Sequence, residues 1–225
     1  ALLEHHQRQE LEHDAPRRLA VLRPLKLTIT DWPDGKVEEI EAPNHGQRPE
    51  LGARKLAFEG AVWIEQDDFM ENPPADFFRL GPGREARLRY AFNVTCQEVV
   101  KDAEGRVTEL RCTHDPDSRG GGGLKAKGIL HWVPVAAPAA PVKLFAPLFT
   151  PADPEAGGDF LANLNPAAQE ELSARIEPAL SLARPDSRFQ FERLGYFFVD
   201  PLLSRPGAPV FHRIVALKDS RPKAK

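Results

Sequence analysis

The sequence predicts an all-β protein, and three observations support this fold class. Proline and glycine are frequent, with 22 and 16 residues in a chain of 225, which fits short strands joined by many turns. Apolar and polar residues alternate with a period of two along much of the chain after residue 17. The hydrophobic share of 41% and the charged share of 28% are those of an ordinary globular protein, so one large or two smaller cores can form.

The first 14 residues are the exception to this pattern. They are rich in Glu, His, Gln and Leu but have no strong apolar stripe, which predicts a short, mostly solvated helix. His5, His6 and His13 lie there without a Cys or acidic ligand at a recognised spacing. We interpret them as surface histidines and predict no metal site.

Two hairpins are predicted in the first half of the chain. The first joins strands at 25–29 and 37–41 through the turn at 31–35, and the second joins 94–101 and 106–113 around the turn at 102–105. Between them, residues 42–50 cannot form regular structure. We expect this segment to be an exposed loop with hydrogen-bonding side chains, and such loops often carry function.

Cys96 and Cys112 lie on either side of the second turn, so we expect them to be neighbours across the hairpin. Two cysteines are too few for a disulfide scaffold, and we expect free buried thiols in a reducing interior. No apolar run is long enough to span a bilayer and no signal-peptide pattern is present, which predicts a cytoplasmic protein. Because the chain does not begin with methionine, we expect it to be part of a longer protein.

Residues 77–90 combine aromatic and cationic side chains. In the strand predicted at 84–90, alternation places Arg87 and Arg89 on one face and Leu88, Tyr90 and Phe92 on the other. The net charge of −3 argues against a generally basic nucleic-acid binder, so a polyanion site has to be local. Two interpretations stay open: a solvated strand face, or, together with Phe77, Phe78 and Arg79, a surface for unstacked RNA bases.

The segment from 120 to 141 predicts a connector, a strand and a boundary. The run Gly120–Gly123 lacks the ending of a phosphate-binding loop and is interpreted as a flexible connector. A strand follows at 128–135, where His131 between apolar neighbours is expected to be a satisfied core histidine. The prolines and small residues of 136–141 indicate a crossing between two packed units.

The last third of the chain is organised around residues 187–200. Apolar residues occupy both parities there, which predicts one strand buried on both faces. Gln190, Glu192 and Arg193 would be costly to bury without partners, so either they satisfy one another or a ligand docks there. Residues 171–180 fit a helix or a strand equally well, and 209–217 predict a closing strand before a basic tail.

Several sequence blocks together resemble the C-terminal anticodon-binding region of the glutaminyl-tRNA synthetase family. The blocks are Ala15–Arg17, Pro43–His45, Gly60–Ile64, Arg87–Arg89, Lys127–Val133 and Phe189–Phe197. The resemblance implies two tandem β-barrels of the ribosomal protein L25-like type after a short N-terminal helix. It assigns residues 1–24 to the helix and the first strand of a proximal barrel, 25–134 to a distal barrel, and 135–225 to the rest of the proximal barrel.

The resemblance also implies contacts with an anticodon. Arg17 and Gln190 would hold the middle base, a uracil, with Arg193 beside them, and uracil's two carbonyl acceptors and imino donor suit a guanidinium and an amide. Arg79 would recognise the third base, a guanine, by donating to O6 and N7. Arg87 would meet the first base.

The remaining site residues follow from the same resemblance. Gln47 would contact a nucleotide next to the anticodon. The family's usual lysine is replaced here by Phe78 and its usual glutamine by Asp76. Stacking would therefore substitute for a charge contact at Phe78, and Asp76 need not face RNA. Glu192 is expected to orient one of the arginines through a charge-assisted hydrogen bond.

No catalytic residue and no cofactor site is assigned to this chain. The implied parent enzyme would attach glutamine to its tRNA with ATP and Mg²⁺, and the implied partners are the tRNA(Gln) anticodon loop and a catalytic domain of the same polypeptide, in a monomer. Alternatives are the corresponding region of a glutamyl-tRNA synthetase, with cytosine as third base, or a barrel that binds protein or ribosomal RNA. A hydrolase using Ser187, His212 and Asp200 lacks a nucleophile-elbow sequence.

Overall fold

The computed structural model describes residues 2–121 and 126–218, which form one α-helix, four short 3-10 helices and sixteen strands. Part of the glycine connector and nearly all of the basic tail lie outside these residues. The helix is α1, Leu2–Asp14. The strands are β1 Arg17–Arg18, β2 Ala20–Val21, β3 Pro24–Ile29, β4 Glu38–Pro43, β5 Ala53–Phe58, β6 Ala61–Glu65, β7 Glu85–Leu88, β8 Asn93–Lys101, β9 Val107–Asp115, β10 Ile129–Leu130, β11 Val133–Pro134, β12 Ala139–Phe145, β13 Gln169–Ile176, β14 Arg188–Phe191, β15 Gly195–Val199 and β16 Phe211–Ala216.

The strands form two curled, barrel-like sheets, as the predicted all-β fold class requires. The first barrel has the strand order β10-β7-β8-β9-β3-β6-β11, and the second has the order β1-β14-β15-β16-β12-β13-β2. Strands β4 and β5 pair separately as a ribbon whose apolar side chains join the core of the first barrel. The sheets change near residues 24 and 134, and the division into domains there stays a prediction.

Both barrels close in the same way. The first and last strands of each order are consecutive in sequence: β1 and β2 in the second barrel, β10 and β11 in the first. In each pair, the leading strand adds to one edge in parallel and the trailing strand adds to the opposite edge antiparallel. A short segment therefore bridges the two edges of each sheet and leaves neither edge open for pairing with another chain. We call residues 17–21 and 129–134 the closing segments.

Aromatic side chains fill both cores. In the first barrel, Trp132 is fully buried and packs edge-on against Phe58, with ring centroids 5.1 Å apart. In the second, Phe191 stacks on Phe197 at 4.3 Å and meets Phe211 edge-on at 5.2 Å. Such pairs add about 0.5–1.5 kcal/mol each beyond the area that they bury.

The predicted hairpin around residues 102–105 is confirmed, and the one around 31–35 is wrong. Strands β8 and β9 pair antiparallel with Cys96 opposite Cys112, and both thiols are free and buried, as expected. At 31–35 the chain does turn, but β3 pairs with β6 and β9 while β4 pairs with β5. The turn is anchored by Trp32, which packs against Phe58 at 4.9 Å and so directs the chain over the barrel rather than back along β3.

Residues 187–200 form two strands, not the single strand that we predicted. Strands β14 and β15 pair antiparallel across a turn closed by the bond from the Leu194 amide to the Phe191 carbonyl, 2.9 Å. Arg193 in this turn has φ 69°, which a non-glycine residue rarely adopts. Both parities are apolar because two adjacent strands share the core. The ambiguous segment 171–180 is mostly strand: β13 ends at Ile176 and a short 3-10 helix, Pro178–Leu182, follows.

The strand predicted at 84–90 ends earlier than expected. Strand β7 stops at Leu88, whose amide bonds the Phe92 carbonyl, and Tyr90 has φ 67°. Tyr90 therefore leaves the face that Leu88 occupies. The predicted closing strand at 209–217 is confirmed as β16.

Gly128, just before β10, gives the first testable prediction. A Cβ built there would lie 1.9 Å from the Phe78 carbonyl oxygen, so Gly128→Ala has to push the 77–79 backbone away. We expect the free energy of unfolding to fall by about 1–3 kcal/mol, measured by urea titration. Gly46→Ala is the control, because nothing lies within 4 Å of its Cβ position. Equal stability of the two variants would contradict the close approach.

Candidate nucleic-acid interface

Arg17 and Gln190 are brought together by the closing segment of the second barrel. Strand β1 runs parallel to β14 with Arg17 in register with Gln190, although 173 residues separate them. The Arg17 guanidinium donates to the Gln190 side-chain carbonyl. Gln190 is 4% exposed, and the Arg17 side chain is 15% exposed. The structure thus joins the two residues predicted to hold the middle base at one point of the surface.

Two residues that sequence reasoning missed, Glu12 and Tyr196, complete this cluster. The Gln190 amide group donates to Glu12 Oε2 at 2.9 Å and to the Tyr196 hydroxyl oxygen at 2.8 Å. Tyr196 donates its own hydroxyl proton to Glu12, and Arg17 forms an ion pair with Glu12. Both amide protons of Gln190 are used within the protein, so an RNA base needs to replace Glu12 to bond to them.

The protonation states of this cluster follow from its contacts. Burial opposes ionisation of Glu12, but the bonds from Arg17, Tyr196 and Gln190 outweigh it and lower the pKa of this carboxyl. Burial, and then the charge of Glu12, raise the pKa of the Tyr196 hydroxyl. Glu12 is therefore a carboxylate and Tyr196 a neutral donor at neutral pH.

Arg193 lies in the β14–β15 turn, and its contacts lead away from Gln190. Its guanidinium makes two hydrogen bonds to the Asp68 carboxylate, at 2.6 and 2.7 Å, and Nη1 is 3.0 Å from His131 Nδ1. Asp68 is 1% exposed. His131 is buried, as predicted, and its Nε2 lies 3.4 Å from Glu65. Among the described residues, Arg193 therefore joins the first barrel and not the Arg17 cluster.

Arg79 meets the same buried carboxylate from the first barrel. Its Nε is 3.3 Å from Asp68 Oδ1, and its Nη1 donates to the Asp67 carbonyl at 3.0 Å. The Arg79 side chain is 44% exposed. Arg193, predicted to lie beside the residues of the middle base, and Arg79, predicted to contact the third base, thus share Asp68, which sequence reasoning missed. Only the adjacent acidic pair at 67–68, shortly before Arg79, could have suggested it.

Glu192 holds Arg89 and not, as expected, Arg17 or Arg193 beside the predicted uracil pocket. The two form an ion pair, and the Tyr90 hydroxyl donates to the same carboxylate at 2.8 Å. Glu192 is 3% exposed and belongs to the second barrel, while Arg89 and Tyr90 belong to the first. Glu192 and Arg193 therefore find partners in the other barrel, whereas Gln190 bonds to helix α1 and to its own barrel.

Arg87 and Arg89 line one surface cavity of about 440 Å³. Arg87 is held inward, because its guanidinium donates to the Ser118 carbonyl at 2.6 Å and to the Asn93 side chain at 3.2 Å. Glu41 also lines this cavity and offsets part of its positive charge. The two arginines do share a face, as the alternation predicted, but both have protein partners.

Gln47 lies on an exposed part of the 42–50 loop, near the helix end. The main-chain N–H of Gln47 donates to His45 Nδ1 at 3.1 Å. The proton of the ring is therefore on Nε2, which donates to the Glu12 main-chain carbonyl at 2.8 Å. This places the loop against the end of α1 that carries Glu12. Gln47 thus stands beside the Arg17 cluster, with its side chain open to solvent.

A second cavity, of about 480 Å³, surrounds the position where this chain departs from the family pattern. Phe78 is 52% exposed, and the Lys127 ammonium lies 5.3 Å from its ring centroid. Asp76, Arg79 and Ile129 line the same cavity. A flat aromatic side chain next to a guanidinium offers a stacking surface for a base.

Other chemistry finds little support in the described residues. His212 Nε2 is 3.2 Å from Asp200, but Ser187 makes no hydrogen bond to either, so no triad is assembled. Within residues 2–121 and 126–218, no group of three or more His, Cys, Asp or Glu could hold a metal ion. In the same part of the chain, no helix has the length and apolar character needed to cross a membrane.

Comparison with known proteins shows the family of this chain. Two models described as the anticodon-binding domain of class I tRNA synthetases (E and Q) match residues 15–115 and 129–200. A glutamine–tRNA ligase of Nitrobacter hamburgensis is 52% identical over 217 residues, covering 95% of this chain and 38% of the relative. Glutamine–tRNA ligases of Pseudomonas syringae and Nitrosomonas europaea are 46% and 44% identical, each covering 97% of the chain and 40% of the relative. The chain spans about two fifths of the length of these relatives.

The ion pair of Glu12 predicts a pH-dependent contribution to stability. Because the pKa of Glu12 is lowered in the folded state, its contribution is present above the ordinary carboxyl pKa of 4.5 and is lost as the pH falls through the lower folded value. We expect Glu12→Gln to lower the urea midpoint at pH 7, and the difference from the parent chain to shrink below pH 4. Glu10→Gln on the same helix is the control. Equal midpoints at pH 7 would show that the pair adds nothing.

Proposed function

We propose, because the chain belongs to the anticodon-binding domains of the class I tRNA synthetases for glutamate and glutamine, that it recognises the anticodon of a tRNA for glutamine. The observation that carries this proposal is the junction of Arg17 and Gln190 at the closing segment. A guanidinium and an amide held together there complement the two carbonyl acceptors and the imino donor of uracil. The middle base of the anticodon is the ligand that we assign to them, and Gln47 would contact a nucleotide next to the anticodon.

The third base is assigned to Arg79. Its Nη1 donates to the Asp67 carbonyl, its Nε lies 3.3 Å from the Asp68 carboxylate, and among the described residues no hydrogen bond uses Nη2. The exposed edge of the guanidinium can donate to O6 and N7 of guanine, which a cytosine cannot match. We place the first base at the cavity of Arg87 and Arg89, with Phe78 available as a stacking partner near the third base.

The whole protein is proposed to be a glutamine–tRNA ligase. Its relatives carry that name, and this chain matches about two fifths of their length. The reaction would join glutamine to its tRNA with ATP and Mg²⁺, and we assign no described residue to that chemistry. We further propose a monomer in the cytoplasm, whose catalytic domain is part of the same polypeptide.

The assignment of the middle base predicts the effect of two substitutions. Arg17→Ala and Gln190→Ala should each weaken binding of an anticodon stem-loop with a central uracil by about 1–3 kcal/mol, because each removes a donor or acceptor to the base. Titration of a fluorescently labelled stem-loop measures this. Arg106→Ala is the control, because Arg106 lies just beyond the turn that joins β8 to β9. The end of β8 at this turn is about 26 Å from its other end, Asn93, which contacts Arg87. No loss for either variant would favour a barrel with a different partner.

Glutamine and glutamate specificity separate at the third base. We expect the parent chain to bind a stem-loop with guanine there more tightly than one with cytosine, and Arg79→Lys to lose most of that preference. Lysine keeps the charge but cannot donate two parallel hydrogen bonds. Equal affinity of the parent chain for the two stem-loops would remove the argument for glutamine.

A further inference from the structure

We propose that Asp68 is a positioning residue that makes recognition of the middle and third anticodon bases interdependent. The inference rests on the function proposed above, in which Arg79 contacts the third base. It adds one assignment: Arg193, in the turn that directly follows the strand of Gln190, lies beside the middle base. It goes further by assigning a role to a carboxylate that does not itself reach the RNA: Asp68 is 1% exposed.

The geometry consists of two hydrogen bonds and one ion pair to the same carboxylate. Asp68 Oδ2 accepts from Arg193 Nη1 at 2.6 Å, and Oδ1 accepts from Arg193 Nη2 at 2.7 Å. Oδ1 also lies 3.3 Å from Arg79 Nε. One oxygen therefore faces both guanidinium groups, one from each barrel, and a movement of either group changes the position that is best for the other.

The position of Asp68 is fixed by the main chain around it. Asp68 ends a short 3-10 helix that follows β6, and its carbonyl accepts from the Leu80 amide at 3.0 Å. The neighbouring carbonyl of Asp67 accepts from Arg79 Nη1 at 3.0 Å. The backbone segments that carry the carboxylate and Arg79 are thus bonded to each other, so the carboxylate cannot retreat when one cation leaves.

Burial makes the sharing energetically significant. A buried carboxylate that loses a cation partner is strongly destabilised, so it pulls harder on the partner that remains. When a wrong middle base displaces Arg193, Asp68 should draw Arg79 inward and away from the third base. A wrong third base then lowers the affinity by a smaller factor, because Arg79 no longer contacts that base.

The other site carboxylates do not offer this connection. Glu12 contacts Arg17, Gln190 and Tyr196, and Glu192 contacts Arg89 and Tyr90. In the described part of the chain, Asp68 is the carboxylate that joins Arg193, which this proposal places beside the middle base, with Arg79, which is assigned to the third.

The test measures binding of four anticodon stem-loops to the parent chain. One has the central uracil and the guanine third base, two carry cytosine at one of these positions, and one carries cytosine at both. In the parent chain, we expect the loss for the double change to be at least about threefold smaller than the product of the two single losses. In Asp68→Asn, we expect each single base change to lower the affinity by a smaller factor than in the parent chain. The double change should then lower it by the product of the two factors.

A control and a second variant keep the result interpretable. Glu177→Gln removes another fully buried carboxylate, which pairs with Arg18 and Arg54, and should leave the interdependence intact. Asp68→Glu keeps a charge but displaces it. It replaces Asp68→Asn in the test if that variant does not fold, and the same result is expected from it.

Two results would overturn the proposal. One is a parent chain in which the double base change lowers the affinity by the full product of the two single changes. The other is an Asp68→Asn variant that weakens binding of all four stem-loops equally and keeps the interdependence, since that marks a purely structural carboxylate. Equal binding of all four stem-loops by the parent chain would instead refute the proposed function itself.

Discussion

Buried carboxylates between the two barrels are the constraint on which the rest of the structure depends. Asp68, Glu177 and Glu192 are all 3% exposed or less, and each holds at least one arginine. Glu177 from the second barrel pairs with Arg54 of β5 at 2.8 Å, and Glu192 pairs with Arg89. Removing one partner would leave an uncompensated charge in a dry environment, which costs several kcal/mol. The barrels are therefore held in one relative orientation by ion pairs whose geometry admits little variation.

The same pairs explain how an acidic chain can offer a site for RNA. With a net charge of −3, the chain has no general attraction for a polyanion. Arginines of the proposed site are tied to carboxylates, which offset their positive charge and fix their direction. Arg193, Arg79 and Arg89 are thus oriented before any ligand arrives, and less side-chain entropy is lost on binding. The arrangement favours discrimination between bases over affinity for phosphate.

The sequence was sufficient where structure is set by neighbours along the chain. The all-β class and the β8–β9 hairpin follow from alternation and turn residues, which are local. The pairing of β3 with β6 and β9 could not be predicted, because it depends on how distant apolar side chains pack together in the core. The turn at Arg193 was missed, since nothing in an arginine signals a φ of 69°. Glu12 and Asp68 were missed because their partners lie up to 184 and 125 residues away.

The closing segment of the second barrel has a consequence for the order in which the protein is made. Arg17 leaves the ribosome 173 residues before Gln190, its partner across the β1–β14 pair. At about 5–20 residues per second, this interval is about 9 to 35 s, during which the whole first barrel can fold. Strand β1 has no strand partner until β14 has been made, so the point assigned to the middle base is assembled among the last. A nascent chain interrupted before residue 190 would carry a finished first barrel and no such point.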